Sequence, residues 1–141
     1  MPFGLSAMPL YTDVITVPAD TAENSPVTKT FEVWEDYITL IGVYFPPGCI
    51  AKVKVRCFYG SEQIAPLPKG SYFVGDGALI SAPMRWKIPE KPCPIRFEAC
   101  SPGTLYQHSP VLYIETMEEE EAKPYKILND FVSILKRLMG L

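Results

Sequence analysis

Between Ala51 and Gly60 the chain reads AKVKVRCFYG, and its side chains alternate strictly. Val53, Val55, Cys57 and Tyr59 point one way, while Lys52, Lys54 and Arg56 point the other. Period two is the repeat of a half-buried β-strand, because successive Cβ atoms leave opposite faces of the pleat. The apolar face of such a strand must find cover. A chain built of them is therefore committed to a layered β fold.

The rest of the chain follows suit. YTDVITV (Tyr11–Val17) predicts a first strand, ended by Pro18. In VTKTFEV (Val27–Val33), Val27, Phe31 and Val33 share one face and Thr28, Thr30 and Glu32 the other. YITLIGVYF (Tyr37–Phe45) is apolar on both faces and stops at the turn-forming Pro46–Gly48. It predicts a central strand covered on both sides. SYFV (Ser71–Val74) predicts a short strand before the turn Gly75–Gly77. ALISAPMRWKI (Ala78–Ile88) holds Pro83, which implies an edge position or a bulge. PIRFEAC (Pro94–Cys100) turns Ile95, Phe97 and Ala99 inward, and PVLYIETM (Pro110–Met117) closes the set.

About eight short strands with turn signals between them predict an antiparallel β-sandwich of jelly-roll type. The 15 prolines among 141 residues are about twice the usual ~5% share and suit short strands and many loops. No βαβ rhythm and no internal repeat interrupts the pattern.

The end of the chain breaks the β rhythm. Glu118–Glu121 form an acidic run, and KPYKILNDFVSILKRLMGL follows. On a helical wheel Ile127, Leu128, Phe131, Val132, Ile134, Leu135, Leu138 and Met139 fill one half. Lys126, Asn129, Asp130, Ser133, Lys136 and Arg137 fill the other. Pro124 suits the first helical turn and Gly140 the stop. The predicted organisation is an arm at 1–10, a sandwich at 11–117, an acidic linker at 118–123 and an amphipathic helix at 124–140. The helix is too short to cross a bilayer core of about 30 Å. Its Ile127, Phe131, Ile134, Leu135 and Leu138 face is expected to bind a partner, with docking on its own sandwich as the alternative. The charged linker, held extended, favours the partner.

Little in the sequence points to chemistry. The single histidine, His108, stands beside Ser109 with no base-and-orienter pattern around it, so no catalytic residue is predicted. Cys49, Cys57, Cys93 and Cys100 have spacings unlike those of structural zinc. Cys57 reads as a small buried hydrophobe, and reduced thiols are the default where no secretion signal is seen. No phosphate-binding loop is present, and no cofactor or metal is expected. The net charge of −3 gives no general attraction to nucleic acid. The basic stripe Lys52, Lys54 and Arg56 reads as a solvated face without aromatics beside it. Trp86, alternating with Met84 and Ile88, reads as core.

Three segments carry a resemblance: Pro46–Gly48, Tyr59–Pro66 (YGSEQIAP) and Gly70–Asp76 (GSYFVGD). With the opening ITVPADTAENSPVTKTFEV, they resemble small β-sandwich virion proteins of the capsid decoration type, encoded by viruses of thermophilic archaea and bacteria. The resemblance spans residues 10–115 and leaves out the helix. It implies a structural protein of the virion, not an enzyme, with a homo-oligomer and a major capsid protein as partners. The alternative is a carbohydrate- or surface-binding module of an adhesin or receptor-binding protein, cytoplasmic or at a cell surface. Its aromatic set would be Trp34, Tyr72 and Phe73.

Overall fold

A computed structural model describes residues 8–119 and 125–140, with side chains described in the helix from residue 130 onward. Eight strands form: β1 Leu10–Val14, β2 Val27–Val33, β3 Tyr37–Phe45, β4 Lys54–Tyr59, β5 Glu62–Ala65, β6 Ala78–Lys87, β7 Cys93–Cys100 and β8 Val111–Met117. They make two antiparallel four-stranded sheets, ordered β1-β8-β3-β6 and β2-β7-β4-β5. The pairings β1·β8, β2·β7, β3·β6 and β4·β5 are those of one long hairpin wrapped into two layers. That is the jelly-roll order the strand count predicted.

The core lies between the sheets. Val33, Ile41, Val43, Phe45, Val55 and Phe97 are fully enclosed there. Phe31 meets Phe97 edge to face at 5.7 Å. The alternation predicted for β2, β4 and β7 holds, with Val55, Cys57, Ile95, Phe97 and Ala99 inward. Trp86 packs against the core and meets Tyr59 edge to face at 5.6 Å. A shift of register between Ile38 and Leu40 lets both Ile38 and Ile41, three apart, face inward. Pro83 sits on the edge strand β6 beside that irregularity, as a proline in a strand must.

Four expectations need correction. The fifth strand is Glu62–Ala65, not Ser71–Val74, where only Phe73 bridges Val55. It is short, and its centre is a polar residue, Gln63, so alternation gave no sign of it. β3 is central in its sheet but covered on one side only, with Leu40 and Tyr44 half-exposed on the outer face. The first strand begins at Leu10, and Pro9 already accepts the Thr116 amide at 3.0 Å, so the predicted arm overlaps the sheet. The acidic run is not wholly a free linker: Asp36 accepts the Glu119 amide at 2.6 Å, which pins its root to the body.

The helix α1 spans Tyr125–Leu138. Lys136 and Arg137 lie in its last turn, where they complement the helix dipole. Gly140 ends it in a left-handed conformation, φ 74°, donating to the Arg137 carbonyl at 3.3 Å. Pro124, Glu120 and Glu121 lie outside the described residues.

Candidate functional site

The described residues hold no group of three or more His, Cys, Asp or Glu placed to bind a metal. The four cysteines are unbridged and buried. Burial raises all four thiols above their ordinary value, Cys93 to about 11. High pKa values and enclosure make them poor nucleophiles. His108 contributes its backbone to a two-way bridge with Val17, at 2.8 and 3.0 Å.

Both ends of the sandwich are built by loop bracing. At the end where β3 finishes, Asp76 accepts the amides of Gly48 at 2.8 Å and Ile50 at 3.2 Å. This holds Ile50 and Ala51 in consecutive left-handed conformations, φ 43° and 59°. Such strain in non-glycine residues persists only where the surroundings impose it. Asp20 accepts the Gly103 amide, and Thr104 accepts that of Asp20. Gln63, almost fully buried, donates to the carbonyls of Pro66 and Ser71 and accepts from Gly70. Gln63 and Asp76 thus explain two polar positions in the segments that carried the resemblance. The braced loops frame a shallow cleft of about 190 Å³, lined among others by Ile50, Lys52, Leu105, Tyr106 and His108.

The opposite end holds the root of the helix. Asp36 is paired with Lys91 at 2.6 Å and accepts the Glu119 amide. Lys91 first, then that amide, pulls the Asp36 carboxyl down to about 2, while its hydrogen bond with Glu118 pushes the Glu118 carboxyl up. Tyr11 donates to Glu35 at 2.7 Å; burial and then this bond raise its phenol to about 12.

The two outer sheet faces differ in chemistry. On β2-β7-β4-β5, Arg56 and Arg96 both pair with Glu98, and Lys54 pairs with Glu23. Aromatics do accompany this basic stripe, contrary to expectation. Arg56 lies 5.1 Å from the Phe58 ring and 4.7 Å from Tyr72, which arrives from a distant loop. Three basic side chains share two carboxylates there, and the buried Arg56 Nε has no hydrogen-bond partner among the described residues, so the face is polar without being fully matched.

The outer face of β1-β8-β3-β6 is apolar over part of its area, while Arg85 and Lys87 stand outward further along β6, Arg85 5.0 Å from the Tyr37 ring. The register places Val14, Val111, Tyr44 and Leu79 in one row across the four strands. The next row is Thr12, Tyr113, Gly42 and Ser81, and the third is Leu10, Glu115, Leu40 and Pro83. Only Glu115 among these is charged, and Thr39 donates to its carboxylate at 3.0 Å. Leu79 is 57% exposed and Val14 46%.

The predicted helix face is open as well. Phe131 is 57% exposed and Leu138 78%, with Ile134 and Leu135 also exposed. The Ile127 side chain lies outside the described residues. The aromatic set proposed for a glycan does not assemble. Phe73 is 3% exposed, Tyr72 is stacked by Arg56, and Trp34 stands exposed in the β2–β3 turn near the other end. No helix among the described residues is long and apolar enough to cross a membrane.

No family model and no curated protein sequence matches the chain. Among solved structures, the crystal structure of FLHE is similar at 13% identity, over 78% of this chain and 97% of that chain, with a TM-score of 0.42.

Proposed function

We propose that this chain is a structural, non-catalytic assembly protein: a rigid jelly-roll body that joins neighbouring subunits through its C-terminal helix. The observation that carries this reading is the open apolar face of α1, with Phe131, Ile134, Leu135 and Leu138 exposed. A face of this kind left in water invites aggregation, so it is made to be covered. Among the described residues, every buried member of the two-sheet core lies between Ile15 and Ile114, outside the helix. The body and the attachment device are therefore separable.

Among assembly proteins, the reading closest to the sequence resemblance is a capsid decoration or accessory capsid protein of a virion, bound to copies of itself and to the major capsid protein. Deleting residues 123–141 tests the reading. The truncated body should keep a β-type circular dichroism spectrum and lose self-association and binding to its shell. A truncated protein that assembles like the full chain would refute it.

A second reading, a carbohydrate-binding module, draws on the braced cleft with exposed Tyr106 beside Lys52 and His108. It predicts saturable binding of an oligosaccharide that Tyr106→Ala abolishes.

A further inference from the structure

We propose that the braced cleft at the end of the sandwich where β3 finishes binds one carboxylate-bearing sugar ring, a uronic acid, between Tyr106 and Lys52. The proposal rests on the saccharide reading of that cleft and adds the class of sugar and the residue that selects it.

Two loops form the cleft, residues 46–53 between β3 and β4 and residues 101–110 between β7 and β8. The first supplies Ile50 and Lys52; the second supplies Leu105, Tyr106 and His108. Both are held by hydrogen bonds of their own. Asp76 accepts two amides of the first loop, those of Gly48 and Ile50. In the second, the buried Thr104 hydroxyl donates to the Ser101 carbonyl at 2.9 Å and accepts the Asp20 amide at 2.9 Å. Asp20 in turn accepts the Gly103 amide, and the backbone of His108 is bridged to Val17. A site fixed in this way before binding loses little freedom when a ligand arrives.

On that frame stand side chains that the fold does not use. Leu105 is 84% exposed and Tyr106 74%, although their loop is braced. Among the described residues no hydrogen bond, ion pair or ring contact engages the side chains of Lys52, Tyr106 or His108. By contrast Lys29, Lys54 and Lys91 each have a carboxylate at 2.6–2.9 Å. A concave surface with a few convergent, unengaged polar groups beside exposed apolar ones is the usual make-up of a ligand site.

Size and charge narrow the ligand. The cleft of about 190 Å³ is smaller than the ~300–1,000 Å³ pockets that enclose drug-sized molecules, so it suits a single ring. The exposed Tyr106 ring offers an apolar face for the C–H side of a sugar and a hydroxyl at its rim. A neutral histidine ring both donates and accepts, which matches sugar hydroxyls. Lys52 is the lining residue with a full charge, and its ammonium can form a charge-assisted hydrogen bond with a carboxylate. The bracing Asp20 and Asp76 do not line the cleft and are engaged by amides. One lysine with two aspartates in the supporting structure suits a monoanion better than a phosphate dianion.

The test titrates the full chain with three probes and follows backbone amide shifts by NMR. The probes are methyl β-glucuronide, methyl β-glucoside, which lacks only the carboxylate, and acetate, which lacks the ring. The glucuronide should give saturable shifts confined to residues 48–52 and 103–108. It should bind about fivefold tighter than the glucoside, the most that an exposed ion pair contributes, and acetate should not saturate in the same range. Lys52→Gln should bring the glucuronide down to the level of the glucoside, and Tyr106→Ala should weaken both sugars. Both positions are exposed, so folding should persist, as thermal melts check, and the comparison of probes on the unaltered chain needs neither variant. Equal binding of the two sugars, or glucuronide binding that Lys52→Gln leaves unchanged, would overturn the acid selectivity while leaving the saccharide reading. Acetate binding as tightly as the glucuronide would overturn the ring's part in recognition. No saturable shift with either sugar would overturn the proposal together with the reading beneath it.

Discussion

Phe97→Ala offers a demanding check on the packing that decides which face of each strand is outward. Phe97 is fully enclosed on β7, opposite Cys57 of β4 and Lys29 of β2, with its ring 5.7 Å from that of Phe31. Truncating a buried phenylalanine to alanine costs about 3–5 kcal/mol through lost transfer energy and the cavity left behind. Since small domains hold only about 5–15 kcal/mol in total, the variant should be close to the limit of folding. With a urea dependence of about 1–3 kcal/mol per molar, the unfolding midpoint should fall by roughly 2 M. The neighbouring Arg96 gives the contrast. It points out, half-exposed, pairs with Glu98 at 3.1 Å and lies 5.0 Å from Phe58. Arg96→Ala should therefore cost no more than about 1 kcal/mol. A double-mutant cycle between Phe31 and Phe97 should return about 0.5–1.5 kcal/mol for the edge-to-face pair. A Phe97→Ala cost below about 1 kcal/mol, or an Arg96→Ala cost equal to it, would refute the assignment of inner and outer faces.

Acid titration should reveal the helix root. The Asp36 carboxyl is held down to about 2, so its contribution is present above its ordinary value of 3.8 and is lost as pH falls towards 2. Glu118 has the opposite sign. Its raised carboxyl binds its proton more tightly in the folded chain, so stability declines as pH rises above its ordinary 4.5. Thermal melts should show a shallow maximum near pH 4, and Asp36→Asn should flatten both limbs. A thiol reagent should modify no cysteine readily in the folded protein and all four in denaturant, since all are buried and unbridged; intact mass reads the count. His108→Ala should leave folding and self-association intact, because backbone bonds to Val17 hold that segment, as melting and light scattering would check.

The strands were readable because each buries one face, and alternation records that directly. β2, β4 and β7 follow their patterns residue by residue. β5 escaped because burial there depends on hydrogen bonds from Gln63 to the loop that follows the strand, which leave no periodic trace. The aromatic neighbours of Arg56 escaped for a similar reason: Tyr72 arrives through tertiary folding. The reading of Tyr37–Phe45 as covered on both sides is the most instructive difference. An apolar run reports that both faces are suited to cover, but it does not say whether the covering atoms belong to the same chain. In the folded chain the inner face is sealed, whereas Leu40 and Tyr44 on the outer face stay partly exposed. The amphipathic helix was equally legible as an element, whereas its partner has no signature in a single sequence.

The most direct test of the account is the mass of the unaltered full chain in solution, followed by sedimentation equilibrium over a wide concentration range. The account predicts a concentration-dependent rise above 15.8 kDa, with no such rise when residues 123–141 are removed. A full chain that stays at the monomer mass over the whole range, with its helix face still open, would contradict it.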